Sequence, residues 1–144
     1  MSARIEWPKA SPDAYKAMLG LEQALEKSGL EHSLLELVRL RASQLNGCAY
    51  CVNMHANDAR KAGESEARLQ TLSVWHETRF FTDRERAALA WVESLTLLAE
   101  KHAPQEQFDA LREQFSEAEI VNLTLAIATI NAWNRFGVGM AMVP

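Results

Sequence analysis

The chain has 144 residues, the size of one domain, and a domain this long buries a sizeable core without a metal or a disulfide to hold it. Its 15 Lys and Arg against 19 Asp and Glu give a formal charge of -4, with no basic block to mark a nucleic-acid surface. The opening MSARIEWPKAS lacks the apolar run of a secretory signal, and no stretch offers about eighteen apolar residues in a row, so a cytoplasmic protein with no membrane span is expected.

With only 4 prolines and 6 glycines, and with Ser/Thr cap signals recurring before apolar runs, the pattern is helical throughout. Ser11-Pro12 supplies a cap and a first-turn proline for an opening helix that ends near Lys27-Ser28-Gly29. Ser33-x-x-Glu36 has capping-box spacing and opens a second helix that stops at Asn46-Gly47. On that reading Glu36 is a cap residue, and Glu36→Gln should barely change stability. A third helix runs from about Cys48 to Ala62-Gly63, and a short one from Ser65 to about Trp75. Thr82-x-x-Glu85 caps a longer helix through Glu100, Pro104 starts a short one, and Ser116-x-x-Glu119 caps the last. These predict an all-α single compact domain spanning residues 1–144, of about six to seven helices. The run Ile120 to Ile130 carries large apolar side chains on more than one side, which predicts burial on several faces and a homo-oligomer, at least a dimer.

The sharpest chemical signal is Cys48-Ala49-Tyr50-Cys51-Val52-Asn53-Met54-His55, which holds both cysteines of the chain. If a helix starts near Cys48, the three-and-four spacing puts both thiols and the imidazole of His55 on one face of its first two turns. Cys48 then sits where orphan amides and the positive end of the helix dipole favour a thiolate. His55 can take the proton of Cys51 or stabilise its anion. Cys-x-x-Cys spacing in a reducing compartment suits a disulfide that opens and closes. Two inert core thiols, or a zinc site with only three of its four ligands, are the other readings of the same residues. Haem attachment is excluded, because residue 52 is valine where histidine is needed. Glu36 falls ten or eleven residues before the Asn46-Gly47 turn, so an antiparallel fold-back brings it level with residues 55 to 58, where its carboxylate would orient His55.

The pattern Glu36-x11-Cys48-x2-Cys51-x3-His55 resembles the thiol-active members of the alkylhydroperoxidase AhpD and carboxymuconolactone decarboxylase superfamily. The likeness is strongest over residues 33 to 63, and Asn131, Asn134 and Arg135 extend it to most of the chain. The resemblance implies an AhpD-like helical oligomer, a dimer, trimer or hexamer, that works as a thiol-dependent peroxidase on hydrogen peroxide or alkyl hydroperoxides. It implies Cys51 as the attacking thiol, Cys48 as the resolving thiol, and His55 and Glu36 as a proton relay. It further implies no metal or organic cofactor, and reduction by an external dithiol, a lipoyl-bearing or thioredoxin-like protein. The decarboxylase branch typically lacks the cysteine pair, which argues against lactone decarboxylation. One residue departs from the pattern: Tyr50 stands where the well-studied hydroperoxidase has a second relay histidine, and tyrosine is a poor proton acceptor at neutral pH. The other activity open to these residues is thiol-disulfide exchange or redox sensing without a peroxide substrate. His32, His76 and His102 lie outside the motif and read as surface or capping residues.

Overall fold

A computed structural model describes residues 2–144. Among the described residues there is no strand, and the order of elements is α1 (Trp7–Ala10), α2 (Pro12–Glu26), α3 (His32–Asn46), α4 (Ala49–Lys61), α5 (Glu66–Thr71), a 3-10 helix (Leu72–Glu77), α6 (Asp83–Thr96), α7 (Leu98–Lys101), α8 (Gln105–Gln114) and α9 (Glu117–Gly139). Among the described residues nine α-helices replace the six to seven expected. The additions α1 and α7 are four residues long, too short to show a helical period in the sequence. The helix expected to reach Glu100 stops at Thr96, where Leu97 (φ -97°, ψ 44°) leaves the helical region.

Local sequence explains most of the starts. Ser11 accepts a hydrogen bond from the Ala14 amide, and Thr82 with Glu85 and Ser116 with Glu119 close full capping boxes. The box expected at Ser33 and Glu36 does not form. Helix α3 begins two residues earlier, after Glu31, whose carboxylate pairs with Arg84 of α6 (2.8 Å) and makes no cap. Glu36 therefore sits on the second turn of α3 with its side chain inward, 4% exposed, and its role is not a cap.

Helix α3 is central because it is apolar on two faces. Leu34, Leu35, Val38 and Ala42 join Ala88 and Val92 of α6 and Leu123, Ile127 and Ile130 of α9 in one core. Leu37 and Leu40 join Ala59 of α4, Leu72, Trp75 and Leu89 in a second. Each fully buried Leu or Ile contributes on the order of 1.5–3 kcal/mol of transfer free energy. The apolar run of α9 is covered largely by its own chain: Ile120, Leu123, Ala126, Ile127 and Ile130 are buried, Leu125 is half-buried and Val121 is exposed.

Two connections hold the ends of α3, α4 and α9 in place. Gly47 adopts the left-handed conformation (φ 67°, ψ 31°) that glycine takes without steric cost, and the Cys48 amide returns to the Ser43 carbonyl (3.1 Å), so α3 ends sharply and α4 doubles back along it. At the other end of the chain, the Arg4 amide donates to the Met140 carbonyl (2.7 Å), and Trp7 stacks on Phe136 of α9 (centroids 4.0 Å apart, planes at 12°). The N-terminal segment is thus strapped across the end of α9.

Candidate active site

The turn at Gly47 makes Cys48 the N-cap of α4, in extended conformation, with its sulfur accepting a hydrogen bond from the Cys51 amide (3.2 Å). Cys48 and Cys51 are joined by a disulfide with Cα atoms 5.2 Å apart, inside the ordinary range for such a bond. Both are buried, Cys48 1% and Cys51 3% exposed. The two sulfurs differ in setting. Cys48 holds the N-terminal amide, while Cys51 lines a pocket of about 440 Å³ whose wall also carries Glu36, Arg39, Tyr50 and His55.

Antiparallel packing of α3 and α4 brings Glu36 and His55 together, as the distance from the turn requires. His55 Nδ1 lies 3.2 Å from Glu36 Oε2, and both side chains are buried. The other oxygen of Glu36 accepts from Arg39 Nη1 (2.8 Å), Arg39 Nη2 donates to Glu22 (2.9 Å), and Glu22 accepts from the Trp133 indole (2.9 Å). A continuous polar chain therefore links α9, α2, α3 and α4. Burial pushes the Glu36 carboxyl up, but the hydrogen bond from His55 and the charges of His55 and Arg39 outweigh it and hold the group below its ordinary range. Glu36 is then an anion that only accepts. The bonded Nδ1 of His55 must carry a proton, which in the neutral ring leaves Nε2 as the basic nitrogen.

Two further residues at the site, Asp58 and Gly137, were not singled out by any motif in the sequence. Asp58 is one helical turn beyond His55, and its carboxylate, His55 and Glu36 offer ligand atoms all within 4.8 Å of one another. Such a trio is short of a metal's usual complement, and Arg39 already occupies one oxygen of Glu36. Gly137 of α9 lies directly over the disulfide: a β-carbon there would fall 2.6 Å from the Cys48 sulfur and 3.1 Å from that of Cys51. Asn134, to which the sequence gives no role, is buried and ties α9 to the end of α3, donating to Ser43 Oγ (3.0 Å) and accepting from Asn46 (2.9 Å). Of the histidines outside the motif, exposed His32 reaches within 3.8 Å of Glu36 from the first turn of α3. His76 lies edge-on to Trp75, and His102 ends α7 in the left-handed conformation.

This packing sets the cost of two substitutions. Because Glu36 is a buried, paired anion and not a cap, Glu36→Gln should destabilise the protein by about 1–3 kcal/mol at neutral pH, against the small change that a capping role predicts. The folded-state pKa is lowered, so this contribution is complete above the unfolded carboxyl's ordinary value and disappears as pH falls through the folded one. Denaturant titrations of both proteins should thus converge in strongly acidic buffer and separate near neutrality. Gly137→Ala should lower the stability of the oxidised protein by about 1–3 kcal/mol, because the added methyl has no room beside the bonded sulfurs. Thermal melts before and after reduction check it, and the loss should be smaller once the sulfurs are free to separate.

The profile of the carboxymuconolactone decarboxylase family matches residues 12–94 of the chain. The protein YdfG of Bacillus subtilis (strain 168) is 39% identical over 140 residues, covering 97% of this chain and 95% of its own length. The crystal structure of a protein of unknown function from Agrobacterium tumefaciens, proposed there as an antioxidant defence protein AhpD, superimposes with a TM-score of 0.96 at 47% identity, covering 99% of both chains. An AhpD-core, peroxidase-related protein from Ralstonia eutropha JMP134 shares the fold at 23% identity, with a TM-score of 0.83 over 95% of this chain and 73% of that one. With an AhpD-like all-helical domain and a closely spaced Cys-x-x-Cys pair at the head of a helix, this chain belongs to the carboxymuconolactone decarboxylase family and has the cysteine pattern of its thiol-active branch.

Proposed function

We propose that the protein is a thiol-dependent peroxidase that reduces hydrogen peroxide or alkyl hydroperoxides through a Cys51/Cys48 dithiol-disulfide cycle, with His55 and Glu36 as its proton relay. The observation that carries this reading is that the disulfide-bonded Cys51 opens into the same pocket as the buried His55–Glu36 pair. In the reduced protein, His55 Nε2 takes the Cys51 proton. The thiolate attacks one peroxide oxygen: an S–O bond forms, the O–O bond breaks, and the departing alkoxide takes the proton from the imidazolium as the alcohol. Cys48 then attacks the sulfur of the Cys51 sulfenic acid, forming the disulfide and releasing water. Two thiols and one hydroperoxide thus give a disulfide, an alcohol and water.

Return to the dithiol needs an external dithiol, and the two settings of the sulfurs give that step a direction. Cys51 is the sulfur on the pocket wall, so a reductant thiolate attacks there, and Cys48 leaves as a thiolate that its N-cap position stabilises. The second reductant thiol then resolves the mixed disulfide and frees Cys51. A lipoyl-bearing or thioredoxin-like protein has the chemistry for this role. The same leaving-group property supports the second reading, thiol-disulfide exchange or redox sensing without a physiological peroxide. A reducing cytoplasmic setting suits both; no described helix is long and apolar enough to cross a membrane.

The two readings part on the single-cysteine variants. With Cys51 attacking, Cys48→Ser should consume one equivalent of peroxide and accumulate a sulfenic acid at Cys51, visible by mass spectrometry with a sulfenate trap, whereas Cys51→Ser should do neither. Trapping at Cys48 would reverse the roles, and no peroxide-dependent loss in the wild type, with rapid loss to a disulfide donor, would leave exchange.

Self-association completes the proposal. Ile5, Phe80, Leu98, Val121 and Val138 are each at least half exposed, apolar surface that a second copy would cover. Size-exclusion chromatography with light scattering should give at least twice the 16.2 kDa of one chain, and a persistent mass near that of one chain would contradict it.

A further inference from the structure

Resting on the peroxidase reading, we propose that the pocket in front of Cys51 selects uncharged, aromatic-bearing hydroperoxides and rejects those that carry a carboxylate. Five aromatic side chains line it: Tyr50 on α4, beside Cys51, and four from opposite ends of the sequence, Trp7 on α1, Tyr15 on α2, and Trp133 and Phe136 on α9. The four from the chain ends hold one another edge-on, tilted or stacked. Tyr15 meets Trp7 at 76° (centroids 5.4 Å apart) and Trp133 at 74° (6.2 Å), while Trp7 lies flat on Phe136. The Trp133 indole spends its N–H on Glu22, so that side chain offers a ligand its ring and no free donor. Met54 and Met142 add thioether carbon and sulfur to the same lining, which favour contact with aromatic rings. At about 440 Å³ the pocket is within the range that holds a small organic molecule and is far larger than two oxygen atoms fill.

The charges sort ligands further. Glu22, Glu36 and Asp58 line the pocket against a single guanidinium, Arg39, and both terminal nitrogens of that guanidinium are already bonded to Glu36 and Glu22. A ligand carboxylate would therefore meet an excess of negative charge with no free Lys or Arg among the described residues of the lining to receive it. Protonation of His55 would reduce that excess without reversing it. The wall offers a neutral aromatic hydroperoxide the opposite terms: ring contacts around its apolar body, and Cys51 and His55 at the same pocket for its peroxide end.

Binding to the oxidised wild-type protein tests the selectivity independently of turnover. The probes are 2-phenylpropan-2-ol, the alcohol left by cumene hydroperoxide, and the same alcohol bearing a para carboxylate, each titrated by calorimetry and tryptophan fluorescence. The neutral alcohol should bind saturably, and the carboxylate about tenfold more weakly or less than that. Trp7→Ala and Tyr15→Ala should each weaken binding of the neutral alcohol, with Tyr15, more exposed than Trp7, the variant less prone to misfolding. In turnover with a dithiol reductant, kcat/KM for cumene hydroperoxide relative to hydrogen peroxide should exceed one and fall in both variants. Equal binding of the two probes, no saturable binding, or ratios untouched by either substitution would overturn the selectivity. Binding as expected with no peroxide-dependent thiol loss would instead overturn the peroxidase reading and leave the ligand class standing, whereas thiol loss without selective binding would do the reverse.

Discussion

The contact on which the rest of this structure turns is the hydrogen bond between Glu36 of α3 and His55 of α4, 3.2 Å long and made between two buried side chains. A buried carboxylate is costly unless its charge is met, and two partners meet it here, the imidazole on one oxygen and Arg39 on the other. That requirement fixes the register of α4 along α3, and the left-handed Gly47 permits it by turning the chain within a few residues. Fixing the register also places the disulfide, because Cys48 and Cys51 lie on the first turn of the same helix as His55. Arg39 in turn draws in Glu22, and Glu22 draws in Trp133, so the polar chain from the Glu36–His55 pair reaches the aromatic side of the pocket without a break.

The two sulfurs show why access and electrostatics need not favour the same atom. A thiolate is best stabilised at Cys48, beneath the first free amides of α4, yet that sulfur is packed against Gly137 and does not line the pocket. Cys51 is less favoured by the backbone but shares the pocket with His55, which can supply by proton transfer what the helix dipole does not. In the proposed disulfide cycle these settings would suit Cys48 to leave and Cys51 to attack. The glycine at 137 belongs to this arrangement, since any larger residue would push α9 away from the bonded pair.

The helical class, the turn at Gly47 and the meeting of Glu36 with His55 were legible because each rests on spacing within a short stretch: 3.6-residue periods, cap boxes and the distance of two residues from one turn. The capping box at Ser33 failed although its residues have the same spacing as those at Thr82 and Ser116. What differed was tertiary: Glu36 has a histidine and an arginine to pair with, and Glu31 has Arg84, so neither was left for the helix terminus. Gly137, Trp7, Tyr15 and Trp133 gave no signal because their meaning is set by neighbours more than eighty residues away that only packing brings together. Asp58 was within reach of local reasoning, one turn from His55, but it belongs to no motif that would single it out from other surface acids.

If the buried carboxylate governs the relay, it must decide which nitrogen of His55 holds the proton. Long-range proton–nitrogen correlation of the reduced protein, labelled with nitrogen-15 in its histidine rings and held above the ordinary imidazole range, reads this directly. The expected spectrum has His55 protonated at Nδ1 and bare at Nε2, with Glu36→Gln losing that strict preference. A ring protonated at Nε2 in the wild-type protein would leave no base facing away from Glu36, and would contradict the relay on which the proposed chemistry depends.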